Sequence, residues 1–212
     1  GNISPADFRD LVQAKGGYSD VAGYTSANVS LSAPGRPAEM ALAARASANL
    51  FSLLGVRPQL GRDFRPGEDV SGRDRVVMLS SRTWLKHLGG RPDVIGHTVR
   101  IDGEPHEIIG VLPPSFNDWR FLGTIDFFRP LALSREQSLD RTGTVLRVIG
   151  RRDPSISPAD AASFVAGFGQ NLAKRFPEVN AETTWRRVTL QSMASGPGAA
   201  TILPLLIGRS GF

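Results

Sequence analysis

The three histidines, His87, His97 and His106, are the natural starting point, because imidazole is the side chain best suited to move a proton or hold a metal near neutral pH. His97 and His106 fall on the two facing strands of a hairpin that turns at Asp102-Gly103, an arrangement open to a two-histidine metal site. No acid stands beside them in a ligand spacing such as His-Glu-x-x-His, and strand alternation assigns both to solvent-facing positions. Asp102 and Glu104 flank the turn itself, so turn chemistry accounts for Asp102 without a general acid. Ser80-Ser81 precedes a helical pattern and reads as a cap, since no motif sets a histidine beside it to activate a nucleophile. The 23 glycines form neither a phosphate loop of the Gly-x-x-x-x-Gly-Lys-Ser/Thr type nor a Gly-x-Gly-x-x-Gly fingerprint, and Gly-x-Ser-x-Gly is absent. Gly196-Pro197-Gly198 reads as a linker. With no cysteine, disulfides, thiolate catalysis and cysteine-bound zinc are excluded. The sequence therefore offers no catalytic, cofactor-binding or metal residue: no enzyme and no cofactor are expected.

The elements that would position these residues are legible in outline. Val99 and Ile101 alternate with Thr98 and Arg100, and Ile108, Ile109, Val111 and Leu112 return after the turn until Pro113-Pro114 stops the strand. Pro105 sits at the start of the return strand, where a missing N–H costs little. A two-stranded hairpin is marginal alone, and the preceding chain supplies partners. These are a strand from Val21 to Ser32, a turn at Pro34-Gly35-Arg36-Pro37, and an alanine-rich strand from Met40 to Ala46. Ser47-Ala48-Asn49 then caps a short helix ending at Gly55. Val76–Leu79 reads as a buried strand, followed by a helix with Trp84, Leu85 and Leu88 inward. Ile125–Leu131 reads as a further strand.

Ser4-Pro5-Ala6-Asp7 opens the first helix, and Ser157-Pro158-Ala159-Asp160 repeats it residue for residue before a long helix. The repeat is shared capping chemistry first and a hint of two related halves second. Phe164, Phe168, Leu172 and Phe176 recur every four residues and predict a core-facing stripe, with Ala161 and Val165 beside it. With strands at Gly143–Gly150 and Trp185–Leu190 on either side, this span resembles a βαβ unit. Phe116, Trp119 and Phe121, in a loop after the double proline, read either as a satellite core or as a contact surface.

The formal charge is +5 and only Lys15, Lys86 and Lys174 are lysine. The arginines are dispersed among acids, as in Arg73-Asp74-Arg75, rather than gathered in a stripe with aromatics, which argues against nucleic acid as a partner. No run of 18 apolar residues is present to span a bilayer.

A family resemblance rests on many short motifs in register. Ser47-Ala48-Asn49-Leu50-Phe51, Leu54-Gly55-Val56, Gly61-Arg62-Asp63-Phe64 and Val76-Val77-Met78-Leu79-Ser80 resemble the MacB-like periplasmic core domain of ABC transporter permeases (FtsX-like, MacB-type). So do Trp84, Leu88-Gly89-Gly90, Ile95-Gly96, Val99-Arg100-Ile101-Asp102-Gly103 and Ile109-Gly110-Val111-Leu112-Pro113-Pro114. The stretch Ser157–Phe176 and Phe176-Pro177-Glu178-Val179-Asn180 resemble the family's later segment, and Leu205-Leu206-Ile207-Gly208 resembles the entrance to its second transmembrane helix. The flavour is that of duplicated orphan permeases of acidobacteria.

The resemblance implies an α+β fold in two parts. One is a porter-like α/β subdomain from residues 1–46 and 143–195. The other is a small inserted mixed α/β subdomain, the sabre-like part, from residues 47–142. Residues 196–212 would be a linker into a truncated transmembrane helix. It further implies a non-catalytic domain on the periplasmic side of the inner membrane, transmitting motion of transmembrane helices to substrate or adaptor. Its implied partners are a second permease protomer or duplicated half, a cytoplasmic ATPase subunit and a periplasmic adaptor, with membrane contact through flanking helices. The alternative is a stand-alone periplasmic module that binds protein or peptide.

Overall fold

A computed structural model of the chain describes residues 2–33, 35–118, 122, 124–181, 184–189 and 204–210. In chain order the elements are α1 (Pro5–Ala14), β1 (Tyr18–Ser32), β2 (Glu39–Ala46), α2 (Leu50–Leu54), β3 (Leu60–Gly61), β4 (Val76–Leu79) and α3 (Ser81–Leu88). Then come β5 (Thr98–Ile101), β6 (Glu104–Val111), β7 (Phe127–Pro130), β8 (Arg147–Arg152), α4 (Pro158–Arg175), α5 (Pro177–Asn180), β9 (Thr184–Thr189) and β10 (Pro204–Ser210). The chain divides into two compact units, one of residues 1–23 and 133–212 and one of residues 24–132. The middle unit takes in β2 and most of β1, because Tyr24 to Leu31 pair residue for residue with Ala46 to Glu39, and it ends at Ala132, so residues 133–142 of the expected insertion fall in the other unit.

In the middle unit the strand pairing returns to its start. β1 pairs antiparallel with β2, β2 parallel with β7, β7 antiparallel with β4, β4 parallel with β6, β6 antiparallel with β5, and β5 antiparallel with β1. Six strands thus form a closed small barrel, which leaves no continuous edge for foreign strands to join. Val29, Leu31, Ala41, Ala43, Val77, Leu79, Val99, Ile101, Ile108, Val111 and Phe127 fill its interior. The alanine-rich face of β2 allows a lumen this narrow to close without overpacking. The seam between β1 and β5 is short, Leu31 against Ile101 and Ser32 against Arg100. The predicted turn reinforces it: Asp102 Oδ1 accepts from Ser30 N–H and Asp102 N–H donates to Ser30 O, both at 2.9 Å. Asp102 and Gly103 have φ of 51° and 83°, the pair of positive values that a type I′ turn requires.

Alternate residues of the same strands point outward and meet a second layer. Phe51 of α2 contacts Phe64, Phe116 and Phe128, with ring centroids 5.8, 5.6 and 5.1 Å away. Phe116 is therefore core, the first of its two readings, while Trp119 and Phe121 lie outside the described residues. α2 has no side-chain cap at Asn49; instead Asp69 Oδ2 accepts from Ala48 N–H at 3.1 Å. The Gly-Arg-Asp-Phe motif locks the loop beneath this layer. Arg62 grips Glu68 through two hydrogen bonds of 3.0 and 2.7 Å, and Glu68 also accepts from Arg65 N–H. Gly61 has φ of +70°, and a Cβ there would lie 2.1 Å from Ile109 O, so no other residue fits without moving β6.

In the other unit the strand order is β1–β8–β10–β9. Ser19 Oγ donates to Arg151 O at 3.2 Å where β1 meets β8. β10 is antiparallel to both neighbours, so β8 and β9 run parallel with β10 between them. The expected β8–α4–β9 unit is thus a split one, its gap filled by Pro204–Ser210, which are extended here rather than the helix the sequence suggests. On α4 the buried line is Ala161, Val165, Gly169 and Leu172, with Phe164 and Phe168 half-buried at its flank. The stripe is rotated because Trp185 of β9 occupies the notch at Gly169, where a Cβ would come within 2.4 Å of the indole.

Candidate functional site

Each residue that could do chemistry can now be placed. Ser80 caps α3, its Oγ accepting from Thr83 N–H at 3.1 Å, as expected. His87 is held 4.0 Å from Glu39 Oε2 and lines a small cleft with Leu31, Leu79, Thr83, Leu88 and Val99. That cleft, whose polar lining is Arg36, Thr83 and His87, has room for about one water molecule. Among the described residues no three histidines or acids come together as metal ligands.

His97 lies just before β5 and is exposed, as expected, but His106 is not: it is 4% exposed. The turn sets Ile101 opposite Glu104 and Val99 opposite His106, and residues directly opposite share a face. His106 therefore points inward with Val99 and Ile108, and the structure does not bring it together with His97. Counting pairs back from the Asp102-Gly103 turn finds this; the polarity of histidine does not.

What His106 meets inside is the feature that sequence alone misses. Arg45 of β2 and Arg129 of β7 are direct partners in the parallel register. Both follow the inward parity of Ala43 and Phe127, so two arginines stand on neighbouring positions of the barrel lining, and both are half-buried. Arg129 Nη1 lies 3.3 Å from His106 Nε2, and His106 Nδ1 lies 2.9 Å from Glu104 O. The carbonyl accepts, so Nδ1 carries the proton and Nε2 accepts from the arginine. Burial lowers the His106 pKa, partly opposed by the Glu104 carbonyl, and Arg129 pushes the same way as burial. Burial and then Arg45 also lower the pKa of Arg129. Arg129 Nε is buried without a hydrogen-bond partner among the described residues.

The other unit holds a contrasting buried arginine. Arg141 donates to Asp7 Oδ1 at 2.6 Å and to Asp10 Oδ2 at 2.5 Å, and its guanidinium carbon lies 3.7 Å from the centroid of the Phe176 ring. Burial lowers its pKa, but the bonds to Asp10 and Asp7 outweigh that and the net direction is up. This cluster ties α1 to the chain after residue 133 and reads as structure.

Asp63, half-buried in the Arg62 loop, is pushed up to about 6 by burial, against the pull of the Phe64 N–H and Arg62. Its Oδ1 already accepts from Phe64 N–H at 2.7 Å, and the acid near it, Glu68, is itself held by Arg62. Among the described residues no helix is long and apolar enough to cross a membrane.

Comparison with known proteins accords with this architecture. The extracellular domain of the noncanonical ABC-type transporter YknZ from Gram-positive bacteria is 16% identical, with a TM-score of 0.62 over 83% of this chain and 85% of that one. The periplasmic region of MacB from Actinobacillus actinomycetemcomitans is 17% identical, with a TM-score of 0.62 over 84% and 77%. A domain of a putative permease protein from Porphyromonas gingivalis is 12% identical, with a TM-score of 0.63 over 99% and 80%. At such identities the likeness speaks for the fold. None of the curated proteins matches the sequence significantly. The family model described as the MacB-like periplasmic core domain matches residues 1–168, and the chain belongs to that family, the extracytoplasmic core domains of ABC-type transporter permeases.

Proposed function

We propose that this domain is a non-catalytic lever: it carries the motion of membrane-embedded helices in its parent permease to a substrate or a periplasmic adaptor. The observation that carries the reading is the chain path. Residues 1–23 and 133–212 build one compact unit, and the other is a single uninterrupted insertion between them. Movement applied at either terminal segment therefore enters the same body. Within each unit the packing suits a part that must not deform: a closed barrel with a filled lumen in one, and the Arg141 cluster in the other. A switch of this kind works by rigid displacement rather than by reshaping a pocket. In this reading the parent's energy comes from a cytoplasmic ATPase subunit, and a second permease protomer or duplicated half completes the moving pair.

The test is mechanical. A flexible Gly-Ser segment inserted between Ala132 and Leu133 of the full-length parent should leave ATP hydrolysis intact and abolish export. Export that continues at the unmodified rate would overturn the lever reading. Reporter fusions on either side of residues 1–212 in the parent should place both flanks in membrane-spanning segments.

A further inference from the structure

We infer that the end of the barrel lined by Arg45, Arg129 and His106 binds an oxyanion of the phosphate class. Three observations lead there. The first is the register. Arg45 stands beside Arg129 on paired strands and opposite Thr25 on β1, with all three side chains directed to the lining by the parity of Ala43, Phe127 and Val29. Like charges on directly neighbouring strand positions repel, and burial strengthens the repulsion.

The second is the absence of compensation. Among the described residues neither arginine has an ion pair, and Arg129 Nε is buried without a partner. Acids are nearby but engaged. Asp102 accepts from Ser30 N–H, Asp74 Oδ1 accepts from Gly72 N–H at 3.1 Å, and Glu104 is paired with Arg75 at 2.6 Å. Asp102 and Asp74 reach Arg129 only as distant charges.

The third is access. Ala27 pairs with inward-facing Ala43 and so lines the same end, yet it is exposed, so solvent reaches the lining there.

Two adjacent guanidinium forks present paired N–H donors and a charge of two, which matches a tetrahedral dianion better than a single carboxylate. His106 does not touch the ligand in this scheme. Its Nε2 lone pair fixes one Nη of Arg129 and so sets the direction of the remaining N–H groups, which makes it a positioning residue. The source of the oxyanion, free phosphate or the phosphate of a headgroup, is a matter for the ligand series.

The experiment uses the 212-residue chain and follows thermal unfolding and calorimetric titration with inorganic phosphate, and separately with glycerol 3-phosphate, against sodium chloride at matched ionic strength. The unmodified chain should show a saturable rise in unfolding temperature that chloride does not reproduce. Tighter binding of glycerol 3-phosphate than of phosphate assigns the headgroup source; the reverse order assigns free phosphate. Arg45→Gln and Arg129→Gln should each weaken binding at least tenfold. Arg129→Lys should weaken it too, because the fork is lost while the charge stays. Arg135→Gln, an exposed arginine of the other unit, should change nothing. In the absence of phosphate, Arg45→Gln should unfold no lower than the unmodified chain, since it relieves repulsion. That variant keeps the test decisive if Arg129→Gln fails to fold. The inference is overturned by a response that chloride reproduces, by no saturable response, or by equal binding to the unmodified chain and Arg45→Gln.

Discussion

Arg141 and Arg129 are both arginines withdrawn from solvent in one chain, and they are treated in opposite ways. Arg141 sits between Asp7 and Asp10 under the Phe176 ring, with its side chain 16% exposed and that of Asp7 only 2%. Every feature of that site compensates the charge. Arg129 has another arginine beside it, a neutral histidine in front and one N–H with no partner. A fold that needs only stability has no reason to keep the second arrangement. The contrast separates charge used to hold elements together from charge held available for something else.

Five substitutions sharpen or break this contrast. Arg141→Met should have the largest effect, a loss of about 3–5 kcal/mol read from urea unfolding, because it strands the buried Asp7 carboxylate and leaves Asp10 with Arg9 alone. Arg129→Met should change stability by less than about 1 kcal/mol; equal losses at the two positions would erase the distinction. Next is a pH effect. His106 titrates lower in the fold than in the unfolded chain, where its value is about 6.5. The fold therefore binds this proton less readily. The contribution is complete above the unfolded value and declines as pH falls through it toward the lower folded value. His106→Gln should flatten that acid limb in unfolding curves. In Arg129→Met the histidine should titrate higher than in the unmodified chain, as followed by its ring-proton resonances.

The smallest expected effect concerns the two Ser-Pro-Ala-Asp caps. Ser4 is fully buried and Ser157 exposed, although both accept from an aspartate N–H at 3.1 Å. Ser4→Ala should cost up to about 2 kcal/mol and Ser157→Ala about 0.5 kcal/mol. Identical losses would show that the tetrapeptides act only through local capping.

How much of this was legible follows from where the information lies. The hairpin, the caps at Ser4, Ser80 and Ser157, the buried strand Val76–Leu79 and the mixed fold class are local patterns, and the residues state them. The inward turn of His106 was also available from the Asp102-Gly103 register, which sets it opposite Val99, whereas alternation taken without that register places it outward. The barrel is different. Its closure depends on pairing Ala43 with Phe127 and Leu31 with Ile101, contacts between segments some 70 to 85 residues apart with nothing local to announce them. The Arg45–Arg129 pair inherits that dependence. Nothing within α4 marks Gly169, because the indole that needs its notch arrives from Trp185.

The β1–β5 seam has a further consequence. A ring joined there over two residue pairs, against eight between β1 and β2, has a weak button among firmer stitches; the equally short β4–β7 seam is fully buried, and this one is not. Amide protons at Ile101, Asp102 and Ser30 should exchange ahead of those elsewhere in the ring, and parting there would bare the flank of β1 while the rest stayed folded. Asp102 is the fastening, so the residue that first suggests acid chemistry serves instead as a clasp.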